Sequence, residues 1–358
     1  MSEVTTPRGL RQPGVLAALG AALLFGSGTP LSKKLLASVD PWLLAGLLYL
    51  GSGLGLSLYR ALRRQTPVAK LSRAEWPWLA GAIAAGGILA PVLLMFGLRG
   101  MPASNAALLL NSEAVFTALL AWFAFRENFD RRIAAGMAAI VAGAAELSWP
   151  QEVRLASLWP TLAILGACFA WGVDNNLTRK VSLTDATWIA AVKGLTAGCV
   201  NLALAFTVAR GSLPWPPLPS VAGALLVGSL TYGVSLSLFV LALRHLGTAR
   251  TAAYFSIAPF FGALLALIFL GEPLNTSLLI AGALMAVGVW LHLTERHVHE
   301  HHHEALEHEH AHVHDAHHQH SHAQPVSLAT KHTHLHRHTP MTHTHAHFPD
   351  SHHRHDHE

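Results

Sequence analysis

Charge is what this sequence has least of. Only 12 % of its 358 residues are Asp, Glu, Lys or Arg, while 52 % are hydrophobic, and about 25 % charged is usual for a soluble domain. That shortage excludes an ordinary water-soluble fold and puts most of the chain in lipid. Cysteine is nearly missing: Cys168 and Cys199 are the only two. Both lie in apolar runs, where a thiol packs as a small hydrophobe, so no disulfide framework is implied. The apolar body is also poor in histidine, with only His245 and His292 before position 295. There is no phosphate-binding glycine loop, no nucleophile with a matched base and no soluble domain to host one, which excludes an enzyme and ATP coupling within the chain. No nucleic-acid partner is expected. The apolar run from Gly14 to about Leu36 lacks a small-residue cleavage pattern after it, which predicts a retained first span.

What the chain has instead is ten apolar segments, each near the 20 or so residues that a bilayer core demands of a helix. They run at about 14–36, 42–60, 76–98, 104–125, 132–149, 157–179, 186–209, 219–243, 249–270 and 276–294. Pro41, Pro77, Pro102, Pro160 and Pro219 fall near segment starts, where proline costs a helix least. Basic residues set the orientation, because they stay on the cytoplasmic side. With the N-terminus inside, cytoplasmic loops before the tail carry fourteen Lys or Arg and the opposite loops only five. Both termini are therefore expected in the cytoplasm of a multi-pass cell-membrane protein.

The body is also duplicated. AALLLNSEAVFTALLAWFAFREN, starting at Ala106, recurs 145 residues later as TAAYFSIAPFFGALLALIFLGEP, starting at Thr251. An odd number of spans per copy requires the copies to be inverted, the arrangement that places a substrate site between them near the midplane. FGSGTPLSKKLL in span 1 and FAWGVDNNLTRKV in span 6 correspond loosely. Both read as Gly-interrupted helices, and Pro30 removes a donor from the first. Glu113, Val115, Phe116, Ala118 to Trp122 and Glu127, with Pro259, Phe261, Ala263 to Ala266 and Gly271, Glu272 and Pro273, carry a resemblance to EamA domains of the drug/metabolite transporter superfamily. Ala114, Arg126 and the lack of a basic residue near Tyr49 depart from the usual pattern. The resemblance implies an all-α integral membrane protein of two inverted five-helix repeats. The divisions would be a cytoplasmic N-terminus at 1–13, repeats at 14–149 and 157–294, and a tail at 295–358.

Ionisable groups inside spans are the candidates for chemistry, since a charge at the bilayer centre costs about 2.5 to 3.5 kcal/mol and needs a cavity or partner. Glu113 can exchange a proton as a cavity opens and closes, or it can simply hold two helices together. Asn111, two residues earlier, reads as a hydrogen-bond donor between helices or a substrate contact. Lys193 is the only basic residue deep in a span, and Asp174 and Glu113 are the carboxyls available to pair with it. A Lys–carboxylate pair could bind a zwitterion by exchanging partners, or stand as a fixed ion pair. Asn175 is a substrate or coupling-ion candidate, against the alternative of a solvated residue near its helix end. Trp171, Tyr232 and Tyr254 are candidates to line an amphipathic pocket, against the alternative of packing or interface anchors.

The tail holds 24 of the 26 histidines. It repeats itself: at an offset of 35, residues 297–322 overlay 332–357 with 13 of 26 positions identical, 11 of them His. Alternate residues of an extended chain share a side, so such a run offers several imidazoles to one ion. The candidate ligands are His308, His310, His312, Asp315, His317, His318 and His320, and in the second copy His343, His345, His347, Asp350, His352, His353 and His355. Neutral imidazole suits Ni, Zn or Co. A disordered or metal-ordered tail is expected, against the alternative of a solvated segment whose charge follows pH.

Two functions fit. The first is a secondary transporter, an exporter of a small polar metabolite such as an amino acid, with no cofactor for transport and a metal-binding tail. The second is a divalent metal (Ni, Co or Zn) transporter whose tail delivers or senses the ion. The lipid bilayer, a small-molecule substrate and metal ions are the expected partners, and a homodimer is compatible with either.

Overall fold

A computed structural model describes residues 13–63, 71–125, 131–148, 155–181, 185–208, 215–246, 251, 254–293 and four tail segments, 298–303, 307–312, 332–337 and 341–346. The body is all-helical among these residues. Its helices are α1 (Pro13–Leu35), α2 (Pro41–Leu62), α3 (Trp76–Ala82), α4 (Ala90–Arg99), α5 (Ala103–Leu109), α6 (Ser112–Phe125) and α7 (Arg131–Ser148). In the second half they are α8 (Leu155–Arg179), α9 (Ala186–Val208), α10 (Leu218–Gly228), α11 (Ser235–Leu246), α12 (Ala258–Leu270) and α13 (Thr276–Leu293). Among the described residues six helices are long and apolar enough to cross a membrane: Pro13–Leu35, Pro41–Leu62, Trp76–Arg99, Ala103–Ala124, Ala186–Val208 and Leu218–Ala242. Shorter apolar helices run over Ala134–Ser148, Ala258–Leu270 and Thr276–Leu291. Large apolar side chains such as Leu16, Phe123, Leu162, Ile268 and Trp290 lie on the outside, as a surface facing lipid requires.

The two halves repeat their local devices. Asp40 caps α2, its Oδ1 accepting from Trp42 N at 2.9 Å, and Pro41 fills the first helical position. Asp185, 145 residues on, does the same for α9 by accepting from Trp188 N at 3.0 Å. Such a cap satisfies donors that a helix start leaves open. Widened π-helical turns interrupt the third helix of each half, at Ile83–Leu89 between α3 and α4 and at Ser229–Val234 between α10 and α11. A turn at residues 110–111 separates α5 from α6, and one at 256–257 precedes α12.

Irregular backbone therefore sits elsewhere than expected. The Gly-interrupted reading of the first helix in each half is corrected: α1 and α8 run unbroken, α1 through Pro30. Pro30 lies in the last turns of α1, where little helix remains to disrupt. The glycines serve close packing instead. A Cβ on Gly26 would press on Gly262 N at 3.0 Å, and one on Gly172 would meet Phe116 Cβ and Thr117 N at 3.1 Å. Pro160 is also corrected: it stands inside α8, which begins at Leu155.

Helices of one half pack on helices of the other, the second and fifth on their counterparts and the first of each half on the third and fourth of the other. α2 lies along α9, α7 along α13, α1 against α11 and α12, and α8 against α4 and α6. The α2–α9 contact has almost no side chain between the backbones: a Cβ on Gly198 would come within 2.6 Å of Leu50 N, and one on Gly194 within 2.7 Å of Gly53 N. Small residues four apart let membrane helices approach this way, with packing and not hydrophobicity as the attraction. In the tail, β1 (Val298–His303) pairs antiparallel with β4 (Met341–Ala346), and β2 (Glu307–His312) with β3 (His332–Arg337).

Candidate functional site

Between the two halves lies a cavity of about 420 Å³. The breaks in regular helix surround it. Glu113 stands in the first turn of α6, directly after the turn that ends α5. An anion there gains from the partial positive charge of the helix start. Its Oε1 accepts a hydrogen bond from Asn175 Nδ2 at 2.8 Å, and the same amide reaches Thr117 Oγ1 at 3.2 Å. Asn176, one residue on, is buried and ties α8 to α6 by donating to Thr117 O at 3.1 Å.

In the same lining, Asp174 is buried at 7 % exposure. Lys193 of α9 donates to both of its oxygens, at 2.5 and 2.6 Å, and Thr178 Oγ1 donates to Oδ1 at 2.8 Å. A buried pair holds only if geometry and extra hydrogen bonds offset the loss of water, and here the carboxylate has three donor contacts. Among its described lining residues the cavity therefore carries Glu113 and Asp174 against the Lys193 ammonium. Asp174 is matched by Lys193, and Glu113 is met by a neutral amide.

The other wall is aromatic: Phe25, Tyr49, Trp171, Tyr232, Phe239 and Phe255. Tyr49 and Tyr232 rings stand 5.7 Å apart, and Phe25 meets Tyr232 edge-on at 5.8 Å. Tyr49 Oη and Trp171 Nε1 both donate to Gly86 O, at 2.7 and 3.1 Å, and Asn201 Nδ2 donates to Gly87 O at 3.2 Å. These carbonyls belong to the first π-helical segment. In a membrane, irregular backbone persists where side chains re-satisfy it, and π-turns often mark functional sites.

Of the residues singled out in sequence, Glu113, Asp174, Lys193, Asn175, Trp171 and Tyr232 line this one cavity. Asn111 and Tyr254 stand elsewhere. Asn111 is buried and donates to Leu108 O at 2.9 Å and toward Met285 Sδ at 3.8 Å, which joins the α5–α6 turn to α13. Tyr254 packs with Ala17, Ala18, Leu238 and Ala242. Sequence reasoning missed Tyr49, Phe25, Ser52 and Phe255. Tyr49 alone carried a signal, a polar-tipped ring within the apolar run AGLLYLGSG. Of the tail candidates, the backbones of His308, His310, His312, His343 and His345 are described. Asp315, His317, His318, His320, His347, Asp350, His352, His353 and His355 lie outside the described residues.

At one end of the bundle Lys33 ties α1 to the end of α4 within the first half, and Glu272 joins the second half to the first. Lys33, near the end of α1, donates to Leu98 O at 2.7 Å, Arg99 O at 3.2 Å and Met101 O at 2.8 Å. An ammonium suits the negative end of α4. Gly271, with φ at 65°, ends α12 in the left-handed conformation that glycine tolerates best. The next residue, Glu272, accepts from Ala103 N at 2.6 Å and Ser104 N at 2.8 Å. It thereby caps α5, whose own cap position is Pro102 with no side chain to offer. At the opposite end, the cavity lining extends to Thr178 and Ala186, at the end of α8 and the start of α9.

Comparison with known proteins bears on this geometry. Residues 12–149 and 158–294 each match the EamA-like transporter family. The chain is 28 % identical over 295 residues to an uncharacterized transporter of Methanothermobacter thermautotrophicus, spanning 78 % of this chain and 85 % of that one. It is 26 % identical over 219 residues to a probable terminal-alkyne amino-acid exporter of Streptantibioticus cattleyicolor, spanning 61 % and 73 %. A crystal structure of a protein with 19 % sequence identity superposes with a TM-score of 0.57 over 78 % of this chain and 96 % of that one, a likeness of fold.

Proposed function

Because the chain belongs to the EamA-like transporter family, we propose that it is a secondary transporter exporting a small zwitterionic metabolite of the amino-acid class. The observation that carries this reading is the charge arrangement of the cavity. Asp174 and Lys193 pair across α8 and α9, while Glu113 on α6 faces the same space and, among the described residues, its carboxylate is met by the Asn175 amide. An incoming ammonium has Glu113 as its partner. An incoming carboxylate competes with Asp174 for Lys193, and Asp174 keeps Thr178 when Lys193 is drawn away. The aromatic wall accommodates the rest of a small solute, as mostly apolar pockets with few polar anchors do. The exporter of Streptantibioticus cattleyicolor, related over 61 % of this chain, supports the amino-acid class.

In this reading the body crosses the membrane ten times as two inverted repeats, with both termini in the cytoplasm. The Lys33 and Glu272 clasp then closes the outer face, and the cavity reaches toward the cytoplasm, the side from which an exporter loads. The metal-transport alternative is less well supported. The described lining offers two carboxylates and neither imidazole nor thiol, a poor set for nickel, cobalt or zinc.

The test is counterflow in proteoliposomes containing the full chain, preloaded with an unlabelled mixture of amino acids and supplied with labelled ones. Accumulation of label that vanishes in Glu113→Gln is expected. Flux of zinc or nickel without amino-acid counterflow would overturn the reading in favour of a metal path.

A further inference from the structure

The tail repeats pair antiparallel, in a register that sets histidine opposite histidine. His299 faces His345 and His301 faces His343 across β1 and β4. Across β2 and β3, His308 faces His336, His310 faces His334 and His312 faces His332. Both ladders follow one register, so the strands form a single interrupted hairpin whose two arms come from the two copies of the repeat. The arrangement depends on alignment. A slip of one residue would set His299, His301, His308, His310 and His312 opposite Thr344, Thr342, Leu335, Thr333 and Lys331. Next to the three-rung ladder, Glu307 stands opposite Arg337, an opposite-charge rung of the kind that favours a register.

Within each ladder the histidine rungs fall at alternate positions and therefore share a face. Directly opposed residues of an antiparallel pair have Cβ atoms about 4.5–5.5 Å apart. Two imidazoles at that spacing fit one ion with metal–nitrogen bonds of about 2.0–2.1 Å, and two adjacent rungs supply the four ligands of a tetrahedral site. The single-strand alternative, several rings of one extended run around one ion, leaves the pairing of the two copies without a role.

We propose that the tail is an intramolecular metal zipper: divalent d-block ions of the zinc, nickel and cobalt class are bound between its two arms, at rungs His308/His336, His310/His334 and His312/His332 and at rungs His299/His345 and His301/His343. Duplication of the histidine run then has a physical reason, since each copy supplies half of every site. Metal binding closes the hairpin, and loss of metal or protonation of the imidazoles releases it. The inference stands apart from the transport reading, because it is measured without flux.

The experiment uses the full-length protein in detergent, loaded with zinc alone, desalted and measured for bound zinc per chain. Three variants are compared: His308, His310 and His312 all to Ala; His332, His334 and His336 all to Ala; and all six to Ala. Equal zinc loss in all three, with sedimentation unchanged by zinc, is the expected result, since removing either arm empties the same sites. A six-fold variant that loses the sum of the two single-arm losses would show that each arm binds by itself and overturn the zipper. So would the absence of bound zinc in the unaltered protein, or a zinc-dependent dimer that the six-fold variant abolishes, which would assign the rungs to pairs of chains.

Discussion

The two halves of the body share their backbone devices and differ in their chemistry. Asp40 and Asp185 cap equivalent helices, the two π-helical segments fall at equivalent places, and Gly53 of α2 corresponds to Gly198 of α9. The charged groups of the cavity have no such counterparts. By the same correspondence Glu113 answers to Ala258, Asp174 to Thr29 and Lys193 to Leu48. What duplication preserved is what makes a helix start, bend or approach another. What diverged is the charged lining of the cavity. A symmetric frame with an asymmetric lining is what alternating access asks for: two interchangeable arrangements of one scaffold around a single site.

The comparison is broken most severely at the ion pair. Lys193→Ala leaves Asp174 buried without its cation, and removal of one partner of a buried pair costs about 3 to 5 kcal/mol. A large fall in the thermal unfolding temperature of the solubilised protein is expected, with much of it recovered when Asp174→Ala is added. A double variant no more stable than Lys193→Ala would show that the two groups do not depend on one another. Next comes Glu113→Gln, which keeps the shape and the Asn175 neighbour. Correct insertion with lost proton-dependent counterflow is expected, whereas unchanged flux would make Glu113 a structural group. A carboxylate moved to the other half, Ala258→Glu in a Glu113→Ala background, should fail to restore flux, because its surroundings lack the Asp174 and Lys193 pair.

The clasp sharpens the comparison at smaller cost. Glu272→Gln weakens the cap on α5 by about 1 kcal/mol and should raise labelling of a cysteine introduced at Met101. Its sequence counterpart Glu127, altered in the same way, should leave that labelling unraised if the halves close opposite faces. Equal increases in both variants would argue against opposite roles.

The smallest effect belongs to Asp185. Burial raises its carboxyl, but the Thr187 hydroxyl, the Trp188 N–H and Arg60 outweigh burial and hold it below the usual carboxylate range. Arg60 Nη1 lies 2.9 Å from Asp185 Oδ1, with the two side chains 15 % and 32 % exposed. A depressed folded pKa contributes stability that is present above the unfolded value, about 3.9, and is lost as pH falls through the folded one. Exposure limits the contribution to about 1 kcal/mol or less. Arg60→Ala should therefore lower unfolding temperature at pH 7 slightly and make less difference in acid, as the Asp185 carboxylate is protonated. A larger penalty in acid than at neutrality would contradict this assignment.

Much of the body was legible in sequence, because a lipid environment leaves a helix few alternatives: every backbone group must be satisfied within the segment, so long apolar runs become helices. Six of the side chains that line the cavity were legible for a related reason, since an ionisable or polar-tipped group inside an apolar run needs a partner or a cavity to exist there. Asn111 met the same criterion and found its partners in Leu108 and Met285, away from the cavity. Tyr49 entered the sequence reading only as the place where a basic residue is lacking, and the fold brings its hydroxyl to the π-helical carbonyl of Gly86. The helical interruptions were misplaced for a similar reason. Glycine and proline in α1 suggested a break, but whether glycine interrupts a helix or admits a neighbour depends on what packs against it.

The amino-acid pattern by itself determined that the chain is an apolar, duplicated helical body with a histidine-rich tail, since composition and period depend on no contact. Tertiary structure decided which polar groups face one another, where the helices loosen into π-turns, which backbone donors Glu272 serves across the halves, and which carbonyls Lys33 meets within the first half. The division has a physical origin: a helix needs only its own residues to satisfy its backbone, whereas a buried charge needs a partner that another segment must bring.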